Sequence, residues 1–391
     1  MSTASELGLV ARTRAVELTG DLLDAVGPED FVWCHDGATF VARGAAAVLR
    51  AEDVEAFLAT VAVDDEVGEP GTGAIAVGAL PFDPTEPATL VVPARVTGRT
   101  AAGRTWITEI APVRPGRVGP APVPVRVERV GGTTRDEWDA AVGTALGAID
   151  RGVVGKVVLA RDLVVRADAP FDPRTVLTRL REQQPGCFVY AHRGLVGASP
   201  ELLVRRRGPV ATSTPMAGTA RGTDAAAIRA LTDSTKDAHE HALVVEAVVD
   251  ALGAHADTDP TVRGPLVVEL PNLVHLATTI EVALRDDAPS ALTLARGLHP
   301  TPAVGGAPTA AALDLIATLE PRGRDRYAGP VGWVDARGDG EFAIALRGAV
   351  LEGTEARCFA GCGIVAGSDS EAEWAEAERK FGPILTALGG G

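Results

Sequence analysis

The chain has 391 residues, of which 46% are hydrophobic and only 4% aromatic, and its formal net charge at pH 7 is −15. This length can support one large core or two modest ones. The acidic balance, without any cluster of Lys and Arg interleaved with aromatic residues, argues against nucleic acid or an anionic membrane as a partner. An anionic ligand would therefore need a local group of cations.

Nothing in the sequence predicts export or membrane insertion. Residues 1–18 carry Arg12 and Arg14 where a signal peptide needs an apolar segment, and no run of about 18 apolar residues occurs. The four cysteines are too few and too scattered for a disulfide framework, and Cys358 and Cys362 lack partner ligands for zinc. We expect RCFAGCGIV to be a strand running into a glycine turn, and we expect a cytoplasmic protein.

Short helical and strand-like segments alternate over the first 110 residues. FVWCHDGATFVARG is typical of a hairpin that turns at Asp36 and Gly37, and TLVVPARVTG and RTWITEIAPV are further strands. The segment from Pro112 to Pro124 contains five prolines. We therefore predict a surface loop there.

The following part of the chain begins with a helix. Thr134 and Glu137 form a capping-box pattern, which predicts a helix as far as about Asp150. Strand KVVLARDLVV, helix PRTVLTRLREQQ, strands CFVYAHRG and ELLVRRRG and a loop TSTPMAGTARG come next. Two long helices, two further strands and a final helix are expected after that. Because the strands come in adjacent runs, we predict an α+β fold of layered sheets rather than a doubly wound fold.

One predicted helix begins with a cluster of charges. In STKDAHEHALVVEAVVDALG, Ser234 is suited to cap the helix and Gly253 to end it. The apolar second half predicts burial around most of the helix girth. Glu240, in the charged first turns, is either a capping or salt-bridged residue or an oxygen ligand for a hard cation.

The final helix carries a charged stripe. In EAEWAEAERKFGPIL the helical period puts Glu373, Glu376 and Lys380 close together around the axis, beside an apolar stripe. Taken alone, this pattern is typical of a solvated face with a Glu-to-Lys pair four residues apart. A role in binding needs a further reason for carboxylates.

Two ionisable residues lie in apolar strands. Lys156 begins the strand of GKVVLA, where it must be paired or have its pKa lowered by burial so that it can act as a base. Glu201 in GASPELLV would have its pKa raised by burial and could act as an acid. Each residue alone is more often part of a structural ion pair, but together they indicate proton transfer.

A series of segments resembles, in order, the motifs of the chorismate-utilising enzymes. These segments are GKVVLARD, GASPELLV, PMAGTARG, KDAHEHALVV, NLVHLATTI, HPTPAVGG, RYAGPVGWVDARGDGEFAIALRGA, AGCGIVAGSD and EWAEAERK. The resemblance covers residues 134–391, whereas residues 1–125 correspond to the variable portion of the family. Within the family the chain is most similar to the Mg²⁺-dependent isochorismate synthases. This resemblance implies one domain over residues 1–391, with large antiparallel sheets packed together and helices outside.

The resemblance also implies a cofactor. Glu240 and Glu376 match the Mg²⁺ ligands of the family, and Glu373 is a further or water-mediated carboxylate. Oxygen ligands of this kind suit Mg²⁺. Lys380, one turn beyond Glu376, would meet a substrate carboxylate beside the metal.

Further positions match the substrate site of the family. Arg347 is matched to the enolpyruvyl carboxylate, for which a planar bidentate donor is well suited. Gly361 and Gly363 would let the backbone approach that anion closely. The other positions matched to ring binding are Gly218, Thr219, His275, Ala303 and Tyr327.

The implied reaction adds water at ring C2 and removes the hydroxyl at C4. Unprotonated Lys156 would take a proton from the water, and protonated Glu201 would give one to the leaving hydroxyl. Mg²⁺ on the ring carboxylate would position the substrate. The substrate is thus a small molecule, and we expect a monomer.

Three alternatives stay open. Salicylate synthases keep the lysine and add pyruvate elimination. Tyr327 would supply a hydroxyl near the enolpyruvyl end of the substrate and Leu346 lies beside Arg347, and both residue types also occur in salicylate synthases. Anthranilate and aminodeoxychorismate synthases use ammonia and usually carry Gln where this chain has Lys156; no glutaminase segment is present and no glutaminase subunit is expected. A non-catalytic ligand-binding homologue would lack a catalytic residue, and none is missing.

The sequence also leaves open which pathway uses the product. The product could feed menaquinone, a siderophore or another salicylate-type compound.

Overall fold

Two β-sheets with helices on their outer surfaces make up the fold in a computed structural model, which describes residues 8–111, 125–271 and 273–390. The strands, in chain order, are β1 (Val10–Ala15), β2 (Phe31–His35), β3 (Ala38–Arg43), β4 (Ala47–Arg50), β5 (Ala62–Asp65), β6 (Ile75–Ala79), β7 (Thr89–Val92), β8 (Arg95–Arg99), β9 (Thr105–Glu109), β10 (Val127–Gly132), β11 (Lys156–Ala167), β12 (Phe188–His192), β13 (Leu195–Ser199), β14 (Leu202–Arg207), β15 (Val210–Thr214), β16 (Met216–Arg221), β17 (Thr261–Leu270), β18 (Leu273–Ala283), β19 (Gly306–Ala307), β20 (Pro330–Asp335), β21 (Gly340–Ile344), β22 (Gly348–Glu352) and β23 (Glu355–Ile364). The α-helices are α1 (Val54–Leu58), α2 (Arg135–Asp150), α3 (Pro173–Gln183), α4 (Ala225–Thr232), α5 (Thr235–Gly253), α6 (Ala291–Leu298), α7 (Thr309–Leu319) and α8 (Ser370–Leu388).

The two sheets differ in strand order. Within the described ranges the first sheet has thirteen strands, in the order β10-β11-β23-β22-β13-β12-β2-β3-β8-β9-β1-β5 with β19 joined to β11. The second sheet has ten described strands, in the order β16-β18-β15-β14-β21-β20-β6-β7-β4 with β17 joined to β18. The pairing of β1 with β5 is parallel, whereas the strand pairs that carry the site are antiparallel. The N-terminal portion thus contributes strands to both sheets.

An apolar layer joins the sheets. It includes Phe31 and Trp33 from the first sheet and Ile75, Val77 and Trp333 from the second, all buried. Burial of large side chains of this kind is the main favourable contribution to such packing. The prediction of an α+β fold, with large antiparallel sheets packed together and helices outside, is confirmed.

Several local predictions agree with the structure. The hairpin of β2 and β3 turns at Asp36 and Gly37, whose φ angles are 47° and 79°. Both angles are positive, as a two-residue type I′ hairpin requires. The capping box of Thr134 and Glu137 is present at the start of α2. The proline-rich segment of residues 112–124 lies outside the described residues, so the loop prediction there stays a prediction.

The loop predicted for TSTPMAGTARG is wrong. This segment belongs to β15 and β16, which are separated at Pro215 and both pair with β18. The register of β16 shifts at Gly218, whose φ is 78°. Glycine and proline here mark a bulge and a strand break rather than a loop.

Three other expectations need correction. The second half of the chain has more elements than predicted: β13 is additional, four helices instead of two lie between β16 and α8, and six strands besides the short β19 follow α5 before α8 in the described part of the chain. The strand predicted for RCFAGCGIV is present as part of β23, but Gly361 and Gly363 lie inside it and pair with β11, and the turn follows later, at Ala366 and Gly367. Helix α5 buries one stripe rather than most of its girth, since its buried residues His241, Val244, Val248 and Leu252 follow the helical period.

Two further features of the described residues concern the cysteines and the helix lengths. All four cysteines are free and buried. No helix in the described ranges is long and apolar enough to span a membrane.

Candidate active site

A polar cavity opens where β16, β18 and α5 meet β23 and α8. All of the predicted site residues except Lys156 line this cavity, and they are Glu201, Gly218, Thr219, Glu240, His275, Ala303, Tyr327, Arg347, Gly361, Gly363, Glu373, Glu376 and Lys380. They come from helices, strands and connections that are far apart in the sequence. The fold therefore gathers the predicted residues at one place.

Lys156 lies behind the cavity wall, where its side chain has no exposed surface. Its Nζ is 2.8 Å from Oε1 of Glu240, in an ion pair whose angles fall outside hydrogen-bonding geometry. A Cβ at Gly363 would lie 2.6 Å from that oxygen and 3.1 Å from Cε of Lys156. Gly363 thus leaves space for the ion pair. The sequence analysis predicted a different role, in which this glycine lets the backbone approach the substrate anion.

Glu201 lies directly before β14 and is buried. Burial raises the pKa of its carboxyl group to about 7, although the N–H of Met216 and the charge of Lys156 act in the opposite direction. That N–H is 3.4 Å from Oε1 of Glu201. A substantial fraction of this group is therefore protonated at neutral pH, as an acid catalyst requires.

Two carboxylates of α8 lie side by side. One oxygen each of Glu373 and Glu376 and the Sγ of Cys362 lie within 4.8 Å of one another. Burial, and then the charge of Glu376, raises the pKa of Glu373. Burial also raises the pKa of the Cys362 thiol, which donates to the carbonyl oxygen of Glu373 at 3.2 Å. A neutral thiol is a poor ligand, so the available donors are oxygens, which fit a hard cation.

Each carboxylate proposed as a metal ligand has a lysine partner. Besides the pair of Lys156 and Glu240, Nζ of Lys380 is 2.6 Å from Glu376 and Nζ of Lys236 is 3.4 Å from Glu373. Glu373 is buried, so it does not belong to a solvated helix face. Sequence reasoning missed Lys236 as a site residue, although the charge cluster at the start of α5 was the available signal.

Arg347 and His275 form a hydrogen-bonded pair in the lining of the cavity. The Nη2 of Arg347 is 3.1 Å from Nε2 of His275, and Nδ1 of His275 is 3.1 Å from the carbonyl oxygen of Gly218. Because a guanidinium can only donate, Nε2 accepts and Nδ1 carries the proton. Burial and then the charge of Arg347 lower the pKa of His275 to about 3, so the ring is neutral. Thr219 Oγ1 lies 3.0 Å from the same Nδ1.

Tyr327 and Lys380 are held by neighbours. The Tyr327 ring stacks on Phe359, with centroids 5.0 Å apart and an interplanar angle of 9°. The Nζ of Lys380 donates to the carbonyl oxygen of Gly361 at 2.8 Å. Burial alone would lower the pKa of Lys380, but the Glu376 carboxylate outweighs it and the pKa is raised. Lys380 is therefore a fixed positive charge.

A buried arginine that the sequence analysis did not identify supports one wall. Arg324 donates to the carbonyl oxygens of Val304 at 2.8 Å and Val158 at 2.7 Å, and it pairs with Glu320 at 2.6 Å. These bonds connect the segment after Ala303 to β11. The sequence RGRDRYAG around Arg324 is typical of an exposed loop and gave no signal for this role.

Comparison with known proteins gives consistent matches over most of the chain. A family model described as chorismate binding enzyme matches residues 117–389. A Mycobacterium tuberculosis protein provisionally named isochorismate synthase MenF is 40% identical over 92% of this chain and 96% of its own length. The isochorismate synthase EntC of Escherichia coli K12 is 36% identical over 81% of each chain.

Solved structures give the same result. The menaquinone-specific isochorismate synthase MenF from Escherichia coli superposes with a TM-score of 0.85 and 25% identity, covering 97% of this chain and 95% of that one. A Bacillus anthracis protein provisionally described as the 2,3-dihydroxybenzoate-specific isochorismate synthase DhbC has a TM-score of 0.81 and 32% identity, covering 95% and 99% of the two chains. The resemblance inferred from the motif order is thus confirmed.

Proposed function

Because the chain belongs to the chorismate-binding enzyme family, we propose that it is an isochorismate synthase, which adds water at C2 of chorismate and removes the hydroxyl at C4. One observation carries this proposal: Glu201, the buried ion pair of Lys156 and Glu240, and the cations Arg347 and Lys380 converge on one cavity. The relatives with this name, which match the chain over most of their length, support the same activity.

The substrate is a dianion, and two cations would hold it. Arg347 would donate to the enolpyruvyl carboxylate, and its hydrogen-bonding neighbour His275 is neutral and so does not offset the positive charge of Arg347. Lys380, whose pKa is raised, would contact the ring carboxylate from α8. Local cations of this kind let a protein with a net charge of −15 bind an anion.

Lys156 would act as the general base toward the water that attacks C2. The Nζ of Lys156 is fully buried and lies 2.8 Å from Oε1 of Glu240. Because Glu240 lines the cavity, its carboxylate lies between the amine and the cavity interior, so Glu240 would position Lys156 toward the site of the attacking water.

Glu201 would act as the general acid toward the hydroxyl at C4, which leaves as water. Its pKa of about 7 keeps much of the group protonated at neutral pH. In each turnover Lys156 takes up one proton and Glu201 gives one, so the number of protons is conserved. Lys156 then loses its proton and Glu201 regains one, which completes the cycle. Each such transfer typically contributes 10²- to 10⁴-fold to the rate.

Glu240, Glu373 and Glu376 would hold Mg²⁺. The adjacent oxygens of Glu373 and Glu376, and the rise in the pKa of Glu373 that burial and Glu376 cause, fit a divalent cation with oxygen ligands. Bound Mg²⁺ would orient the ring carboxylate of the substrate and offset its negative charge. Glu240 lines the same cavity from α5.

Salicylate synthase is the second candidate, since Tyr327 and Leu346 line the cavity and both residue types also occur in such enzymes. The test is to incubate the protein with chorismate and Mg²⁺ and to identify the products by chromatography. We expect isochorismate in reversible equilibrium with chorismate, with at most slow salicylate formation near neutral pH. Dominant salicylate with stoichiometric pyruvate would favour the second candidate, and no conversion would favour a non-catalytic binding protein.

A further inference from the structure

Tyr190 in β12 is a fully buried tyrosine that the chemistry above does not use. Its hydroxyl donates to the carbonyl oxygen of Leu346 at 2.9 Å. Leu346 lines the active cavity and directly precedes Arg347. The tyrosine therefore reaches from the sheet to the backbone of the segment that carries the proposed substrate cation.

Two glycines provide the space for this contact. Gly197 in β13 and Gly348 in β22 are register partners, and the Tyr190 hydroxyl lies over both. A Cβ at Gly197 would overlap the hydroxyl, and a Cβ at Gly348 would lie 2.8 Å from it. Because real Cβ atoms do not approach so closely, side chains at these positions would displace the hydroxyl.

The segment that Tyr190 holds is strained. Arg347 has a φ of 51°, in the left-handed region that residues with a Cβ seldom adopt. Leu346 N donates to the carbonyl oxygen of Ile344 at 2.8 Å, and Ala198 N donates to that of Arg347 at 3.4 Å. These bonds fix the ends of the turn, and the Tyr190 hydroxyl fixes the peptide between Leu346 and Arg347.

The orientation of this peptide matters for anion binding. In a trans peptide the N–H points opposite to the carbonyl, so a Leu346 carbonyl directed at Tyr190 turns the N–H of Arg347 away from Tyr190. This N–H has no hydrogen-bond partner in the described ranges. Unlike the Leu346 carbonyl, it is not held by a hydrogen bond within the described part of the chain.

We propose that Tyr190 is a positioning residue for substrate binding, which holds the Leu346–Arg347 peptide so that the N–H and the guanidinium of Arg347 meet the same substrate carboxylate. The inference rests on the proposed function in one respect, the binding of a substrate carboxylate by Arg347. It assigns Tyr190 no contact with the substrate and no part in proton transfer.

Tyr190→Phe tests this role because it keeps the ring and removes the hydrogen bond. Loss of one buried hydrogen bond that orients two donors should raise both the KM and the calorimetric Kd for chorismate about tenfold. kcat should fall less than about threefold, since the base and acid are untouched. Thr108→Val is the matched control, because it also removes a buried hydroxyl. The Oγ1 of Thr108, in β9, is hydrogen-bonded to Oγ1 of Thr13 at 2.7 Å. It should lower the melting temperature similarly and leave KM unchanged.

Two further measurements separate positioning from general destabilisation. Gly197→Ala should reproduce the rise in KM, because it displaces the Tyr190 hydroxyl. In an Arg347→Lys background, Tyr190→Phe should have little further effect on Kd, because the donors that it positions are already altered. Unchanged Kd in Tyr190→Phe, an equal rise in Thr108→Val, or full additivity with Arg347→Lys would overturn the inference. If the wild type binds chorismate without forming isochorismate, the proposed function fails and the Kd comparison still tests Tyr190.

Discussion

The amine of Lys156 and the carboxylate of Glu240 form a buried ion pair with a separation of 2.8 Å. The lysine belongs to β11 and lies behind the cavity wall, whereas the glutamate belongs to α5 and faces the cavity. A lysine in this position needs its partner, because an isolated buried ammonium is strongly disfavoured. The proposed base is thus held by a residue that is also a proposed metal ligand.

The first prediction concerns the base. Lys156→Gln keeps a polar side chain of similar reach but removes the amine, so kcat should fall at least about 100-fold. Circular dichroism and calorimetric binding of chorismate check that the fold and the cavity persist. If the folded variant keeps more than about a tenth of the wild-type kcat, another group is the base.

The second prediction concerns the metal. Glu376→Gln should weaken Mg²⁺ binding at least about tenfold, because it removes a charged ligand. Glu378→Gln is the matched control on the same helix, since Glu378 faces Arg161 at 2.7 Å and Arg129 at 3.1 Å outside the cavity. Calorimetric titration with Mg²⁺ and half-saturation of activity measure both variants. Equal Mg²⁺ affinity in Glu376→Gln and Glu378→Gln would refute the assignment.

The third prediction concerns pH. Since burial raises the pKa of Glu201 to about 7, the acid form is present below this pH and is lost as the pH rises through it. Glutamine cannot titrate, so the ratio of kcat/KM between wild type and Glu201→Gln isolates this group from Lys156. The ratio should be constant below pH 7 and fall up to about tenfold per pH unit above it. A ratio that does not change with pH, or that rises, would count against Glu201 as the acid.

The fourth prediction concerns the enolpyruvyl end of the substrate. Tyr327→Phe keeps the ring stacked on Phe359 and removes the hydroxyl, so the melting temperature should change little. KM for chorismate should rise about tenfold through loss of one hydrogen bond to a charged group. The yield of salicylate relative to isochorismate should change as well, because the side chain of the substrate is held less firmly. An unchanged KM with an unchanged product ratio would exclude a substrate contact of Tyr327.

Features that depend on neighbouring residues could be predicted from the sequence. The capping box of Thr134 and Glu137 and the hairpin turn at Asp36 and Gly37 depend on a few consecutive residues. The cavity residues could be predicted from the order of family motifs. These motifs identify residues that are far apart in the sequence and that only the fold brings together. The structure accordingly places all of them except Lys156 around one cavity.

Features that depend on distant partners could not be predicted. TSTPMAGTARG has the composition of a loop, and it forms strands because β18, far along the chain, supplies the hydrogen bonds. The pairing of Lys156 with Glu240 and of Lys236 with Glu373 depends on how β11, α5 and α8 meet. Such contacts have no signature in local spacing.

Isotope labelling tests the central claim most directly. We propose that the new hydroxyl at C2 comes from water and that the C4 hydroxyl leaves. The protein, chorismate and Mg²⁺ are incubated in water enriched in ¹⁸O. Isochorismate is isolated by chromatography before the reaction reaches equilibrium, and its isotopic composition is determined by mass spectrometry. We expect one ¹⁸O atom in each isochorismate molecule, located at C2. Unlabelled isochorismate, which would mean that the original hydroxyl is retained, or salicylate and pyruvate in place of isochorismate, would contradict it.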